Sequence, residues 1–227
     1  FGESVFFCNS GAESIEGVIK LLRRYHYNKG FPNKKNILVF SNAFHGRTIS
    51  TLAAGDNDNH RLGFGVNTEF FIRIPLGNIG EVEKYVDKDT AGILIEPVQG
   101  EGGINFPPED YLPFLREVCS KEGILLAFDE VQSGMGRTGK LFAHQWYDAL
   151  PDVMGLAKGL GGGFPIGAVV ANKLTSEVLS AGTHGSTFGG NFLAAAVAKE
   201  VLTKLLKPRF LDNVLENGDK LMEGIKN

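Results

Sequence analysis

The sequence predicts an α/β fold, with a mostly parallel central sheet covered by helices on both faces. Short, almost wholly apolar segments alternate with segments of helical spacing, the signature of strand–helix–strand units. Several apolar segments stop abruptly at a polar residue, at Glu96, Asp129 and Lys158. Glycine is abundant, 30 of 227 residues, against an average usage of about 7%. It is clustered at 100–103, 134–136, 159–163 and 189–190, marking places where backbone turns tightly or comes close to a ligand. Strands that are apolar throughout are buried on both faces. Ligands of such sheets sit beyond the carboxyl ends of the strands, where Glu96, Asp129 and Lys158 stand.

The elements follow in order. Val5 to Cys8 is a short strand. Ser10 and Glu13 have the spacing of a capping box, so a helix begins near Gly11 and carries Ile15, Val18, Ile19 and Leu22 on one face. Asn36 to Phe40 is a strand, Asn42 to Arg47 a loop, and Thr48 to Ala54 opens a helix. Phe70 to Pro75 is a short strand and Ile79 to Val86 a weaker helix. Ala91 to Ile95 and Gly123 to Phe128 are buried strands, separated by a helix over Glu109 to Lys121. Val153 to Ala157 and Ile166 to Ala171 are strands, and Asn191 to Leu206 is an Ala-rich helix. No repeat, low-complexity tract or linker interrupts the chain, so it reads as one domain.

Composition removes several function classes. Lys and Arg total 23 against 26 Asp and Glu, a formal net charge of −3, which gives no basic surface for nucleic acid. Cys8 and Cys119 are far apart and outside any C-x-x-C, which argues against a disulfide scaffold or a cysteine zinc site and fits a reducing compartment. No apolar stretch reaches membrane-spanning length and no signal peptide is visible, so a cytoplasmic location is expected.

Individual motifs are each ambiguous. Gly134 to Lys140 fits G-x-G-x-x-G and most of a P-loop, but Leu141 stands where a P-loop needs a hydroxyl for Mg²⁺. Asp129 and Glu96 taken alone read as strand-end carboxylates. Lys158 between an apolar strand and a run of glycines is expected to be desolvated, which would lower its amine's pKa and make it nucleophilic. Ser10-Gly11-Ala12 at a helix start has the free N–H groups and dipole that hold a phosphate. Phe44-His45-Gly46-Arg47 combines a ring to stack with a guanidinium fork for a carboxylate. The remaining histidines show no metal spacing, and no metal site is expected.

Seven ordered blocks carry a family resemblance: 9–13 (NSGAE), 44–48 (FHGRT), 96–103 (EPVQGEGG), 129–132 (DEVQ), 136–140 (GRTGK), 156–168 (LAKGLGGGFPIGA) and 184–191 (HGSTFGGN). Together they resemble the class-III aminotransferases, which depend on pyridoxal 5'-phosphate and have fold type I, and within them the acetylornithine branch. The resemblance runs from about Val5 to Leu206. It implies that Lys158 takes the cofactor's aldehyde and later moves the proton. Asp129 would pair with the protonated pyridine nitrogen. Val131 and Phe44 would pack on the two ring faces, and Gln132 would reach the phenolic oxygen. Gly11 and Ala12 would bind the phosphate, joined by Thr187 from the second subunit of a homodimer, and Glu130 is grouped with the cofactor contacts. Arg47 would hold the substrate carboxylate, Ser186 would touch substrate, and Glu96 and Glu101 would line the site, Glu101 as partner to a switching arginine. The implied reaction moves an amino group from N-acetylornithine to 2-oxoglutarate, giving N-acetylglutamate semialdehyde and glutamate in arginine biosynthesis.

Ornithine and 4-aminobutyrate aminotransferases share much of the pattern and are the alternatives, with an aminomutase beyond them. Phe192 stands where the family usually has Pro, and Ser14-Ile15 replaces a commoner Ala-Asn. Relative to the family, residues 1–227 read as the large cofactor-binding domain, truncated at both ends. By that resemblance, the small domain that supplies an arginine for the second carboxylate is expected to lie outside these residues. The chain alone is therefore expected to transaminate poorly. A non-catalytic cofactor-binding or dimerising fragment is the reading from another class.

Overall fold

In the computed structural model, which describes residues 1–226, one seven-stranded sheet runs through the molecule. The strands are β1 (Ser4–Cys8), β2 (Asn36–Phe40), β3 (Phe71–Ile74), β4 (Thr90–Ile95), β5 (Leu125–Asp129), β6 (Val153–Leu156) and β7 (Gly167–Ala171). Their order is β1-β7-β6-β5-β4-β2-β3. All central pairings are parallel, and β7 runs antiparallel to both of its neighbours. The helices are α1 (Gly11–Asn28), α2 (Ile49–Ala54), α3 (Asp58–Arg61), α4 (Ile79–Tyr85), α5 (Tyr111–Glu122), α6 (Phe192–Leu205) and α7 (Phe210–Lys226).

Alternation along the strands builds two cores, because successive side chains leave opposite faces. Ile93 and Ile95 of β4 join Leu126, Phe128 and Met154 under Tyr111, Leu112 and Leu115 of α5 and Ala194 and Ala198 of α6. Leu94 joins Ile37, Val39, Leu125 and Val153 under Ile15, Val18, Ile19 and Leu22 of α1. Both sheet faces are thus helix-covered, as expected for strands with no polar face.

Gly123 is not the start of β5. Its left-handed backbone (φ 62°) caps α5, its N–H reaching Cys119 O; this is the helix-stop role for which glycine lacks a steric penalty. Helices α3 and α7 have no counterpart in the pattern read from the sequence. Ser14, one departure from the family pattern, is buried: its Oγ donates to Ala168 O at 2.8 Å and accepts from Leu156 N at 3.1 Å. It therefore ties α1 to the β6–β7 pair. Phe192, the other departure, is the first residue of α6 and is 95% exposed. Proline suits that position because its φ is preset and its missing N–H is not needed there.

Candidate active site

Beyond the carboxyl ends of β4, β5 and β6 lies a cavity of about 230 Å³, walled by Gly11, Ala12, Phe44, His45, Gly46, Arg47, Glu96, Glu101, Asp129, Val131, Gln132 and Lys158. Residues singled out in five separate sequence segments converge there. A second, wider cavity of about 1170 Å³ shares Gln132 and Lys158 with it and is lined also by Met222 of α7.

Asp129, the last residue of β5, is only 4% exposed. Oδ1 accepts the Val131 N–H at 3.0 Å and Oδ2 accepts from His45 Nδ1 at 2.8 Å. A buried carboxylate needs such donors to stay ionised. Burial by itself would push the His45 imidazole down. The hydrogen bond His45 donates to Asp129 and the negative charges of Asp129 and Glu96 outweigh it and leave His45 raised. His45 went unrecognised in the sequence, since its partner lies 84 residues away. Its Nε2 is buried without a hydrogen-bond partner in the chain.

Glu96 follows β4 and is also buried. Oε1 accepts from Phe44 N at 2.9 Å and Oε2 from Gly100 N at 3.4 Å. Burial pushes its carboxyl up to about 7; the positive field of His45 opposes the rise and the Asp129 charge adds to it. A Cβ at Gly100 would take the place of the Gln132 side-chain amide, which would have to move away.

The start of α1 forms the opposite wall. Ser10 Oγ accepts from Glu13 N at 3.2 Å and caps the helix, while Glu13 Oε2 accepts from Asn9 N at 2.7 Å. The reciprocal bond therefore goes to Asn9, not to Ser10 as a capping box would have it. The first-turn N–H groups of Gly11 and Ala12 have no intrahelical acceptor and abut the cavity. Val131 packs directly on Gly11: a Cβ at 11 would come within 2.6 Å of Val131 Cγ1.

Lys158 begins a 3-10 turn one residue beyond β6 with left-handed backbone (φ 42°), a conformation that strains a non-glycine residue and recurs at functional positions. The expectation of a desolvated amine is corrected here, because Lys158 is exposed at the rim shared by the two cavities. Arg47 is exposed as well. Its Nη2 lies 3.0 Å from His60 Nε2, and its guanidinium lies 5.7 Å from the Phe44 ring centre.

Three expected site residues lie elsewhere. Glu130 faces away from the cavity: fully buried, its carboxylate accepts from Ser133 Oγ, Ala143 N, His144 N and His144 Nδ1 at 2.8–2.9 Å. It clamps the 142–144 segment rather than lining the site. Ser186 and Thr187 line a different pocket with Glu13, Glu16 and His184. Ser186 Oγ accepts from Asn9 Nδ2 at 3.1 Å and from Gly189 N at 3.0 Å. Among the described residues no cluster of His, Cys, Asp and Glu is arranged to hold a metal ion, and no helix is long and apolar enough to cross a membrane.

The family description Aminotransferase class-III matches residues 1–227. The chain belongs to the class-III aminotransferases. It is 54% identical to acetylornithine aminotransferase 1 of Bradyrhizobium diazoefficiens over 214 residues, 94% of this chain and 53% of that protein. Crystalline N-acetylornithine aminotransferase from Stenotrophomonas maltophilia aligns with all of this chain and 54% of its own, at 38% identity and a TM-score of 0.81. Ornithine aminotransferase from Toxoplasma gondii, described with partial occupancy of PLP at its active site, aligns at 35% identity and a TM-score of 0.94, covering 99% of this chain and 54% of its own. This class-III chain thus spans about half the length of the relatives it matches, and its fold is that of the fold type I transaminases.

Proposed function

We propose that this chain is the cofactor-binding part of a transaminase that uses pyridoxal phosphate to move the terminal amino group of N-acetylornithine to 2-oxoglutarate. The observation that carries the reading is Asp129: a buried acid, held by His45 and the Val131 N–H, on the same small cavity as an amine and a helix start. That donor set suits the cofactor. An acid kept ionised matches a protonated ring nitrogen, bare helix N–H groups match a phosphate, and an amine matches an aldehyde. When bound, pyridoxal phosphate supplies an electron sink for the substrate carbanion.

The chain's own residues do the rest. Asp129 would face the ring nitrogen of the cofactor, Gly11 and Ala12 would offer N–H groups to its phosphate, and Phe44, Val131 and Gln132 would hold its ring. Lys158 would be the amine that takes its aldehyde and the group that moves a proton at the substrate carbon. Arg47 pairs with the substrate carboxylate, with Glu101 and Glu96 on the same wall. Ser186 and Thr187 line a pocket separate from the Lys158 cavity of their own chain. We assign them to the site of a second copy, with Thr187 on its phosphate. Exposed Phe188 and Phe192, 71% and 95%, are apolar surface that such a copy would cover. An arginine-biosynthetic role in the cytoplasm fits this substrate.

The direct test is covalent. The chain is mixed with pyridoxal phosphate, reduced with borohydride, digested and sequenced by mass spectrometry. The label is expected on Lys158 and absent from Lys158→Ala; labelling spread evenly over surface lysines would refute the reading. Substrate choice follows from comparing N-acetylornithine, ornithine and 4-aminobutyrate as amino donors to the loaded protein, with N-acetylornithine expected to be fastest.

A further inference from the structure

We propose that Glu96, His45 and Asp129 form one buried proton-sharing unit, in which His45 bonds directly to Asp129 and Glu96 is the member that exchanges its proton with solvent. The sheet register creates the unit. On the parallel pair β4 and β5, Leu94 lies beside Ala127 and Ile95 beside Phe128. The next step in register sets Glu96 beside Asp129, on backbones about 4.8 Å apart. Two carboxylates so placed, both under a tenth exposed, cannot both ionise without a compensating positive charge.

His45 supplies that charge. The 43–47 loop tucks its ring against Asp129, with Nδ1 2.8 Å from Oδ2. The other cation whose field reaches His45 is Arg73 of β3, itself engaged by Asp56 at 3.0 Å. Arg47, Glu101 and Lys158 share the cavity wall but stand at its exposed rim. One imidazolium therefore balances one of the two acids. Asp129 takes the direct bond. Glu96, holding only two backbone N–H donors, keeps a proton until near neutrality, in line with its elevation to about 7. On ionising it gives the proton to water through the cavity it lines, and the net charge of the cavity falls by one. Below that point the inner wall is a balanced His45–Asp129 pair. Above it, a second negative charge favours a cationic ring nitrogen and disfavours a substrate carboxylate. That last consequence rests on the function proposed above, whereas the proton sharing does not.

The test is made without cofactor. Ring nuclei of ¹⁵N- and ¹³C-labelled histidine are followed by NMR from pH 5 to 9 in the wild-type chain and in Glu96→Gln, with His45→Asn assigning the resonance. Coupled sites report on each other. The wild-type His45 signal is expected to show an inflection near pH 7 that Glu96→Gln lacks. The midpoint of the remaining titration should drop by about one pH unit, the size of effect one nearby charge produces at intermediate dielectric. An unchanged His45 curve would overturn the proposal. Should Glu96→Gln fail to fold, the ¹³C carboxyl signal of Glu96 in the wild-type chain decides instead: a midpoint near 7 supports the unit, and one in the ordinary carboxylate range overturns it. Because neither arm contains pyridoxal phosphate, failure of cofactor binding and failure of this unit are separate results.

Discussion

Glu96 makes a quantitative prediction about stability against pH. Its carboxyl stands at about 7 in the folded chain against an ordinary 4.5, a difference of about 2.5 units, or roughly 3 kcal/mol at 1.36 kcal/mol per unit. The sign follows from proton counts. Below pH 4.5 both folded and unfolded chains hold the proton and the contribution is fully present. Between 4.5 and 7 only the folded chain holds it, so stability falls by about 1.4 kcal/mol per pH unit. Above 7 both have lost it and the curve is flat. His45, whose value is raised, also stabilises at low pH and loses that contribution as pH rises through its folded value. It is present in both proteins, so the difference between them isolates Glu96 and its coupling. Urea unfolding of wild type and Glu96→Gln at half-unit steps from pH 4 to 8.5 is the assay. With a urea m-value of about 2–3 kcal/mol/M, the wild-type midpoint should fall by about 1 M relative to the variant across that range. Two parallel curves would refute the argument, since they would mean Glu96 ionises alike in folded and unfolded chains.

Three further outcomes are expected. Ser14→Ala removes one buried donor and one buried acceptor from the junction of α1 with β6 and β7, and should cost about 2–4 kcal/mol, read from the urea midpoint. Glu130→Gln replaces one acceptor oxygen of the clamp on residues 142–144 with a donor that faces other donors. Thermal unfolding should show a loss of about 3 kcal/mol, with the cofactor affinity of the folded protein unchanged; a selective loss of affinity would return Glu130 to the cofactor site. Phe192→Pro places proline at the first position of α6, preceded by extended Asn191 (φ −57°, ψ 148°). It should stabilise by about 0.4–1 kcal/mol, seen as a higher Tm.

The strand ends were legible in the sequence because burial on both sheet faces demands uninterrupted apolar residues, so the first polar residue announces the ligand side. Glu96, Asp129 and Lys158 were found that way, and Ser10 marked the start of α1 by its side-chain chemistry. The parts that stayed hidden share a physical cause, which is contact over long sequence separations. Nothing local distinguishes His45 from a surface histidine until the loop carries it to Asp129. Ser14 looks like an ordinary helical serine until β6 and β7 bring Leu156 N and Ala168 O to it. Helix α7 is a different case. Leu211, Val214, Leu215, Leu221, Met222 and Ile225 keep a regular helical spacing, so its apolar stripe was legible although none of its residues is buried. Lys158 was located correctly but its burial was not, because position at a strand end fixes where a residue begins and not how far its side chain reaches into solvent.

The adjacent acids Asp129 and Glu130 show why residue-by-residue transfer from a motif needs the backbone. At the end of an extended strand, consecutive side chains leave opposite faces. A cavity on one side of β5 can therefore take one of the two, and the other must be satisfied within the protein. Asp129 meets His45 and the cavity, while Glu130 meets Ser133, Ala143 and His144 on the other side. Either acid alone would be an expensive burial. With donors waiting on both faces, the pair fixes two things at once: an acid on the cavity wall, and the Ala143–His144 segment packed behind it. The 129–132 motif thus joins a cavity-lining acid to its structural support, and only the first of its two acids reaches the cavity.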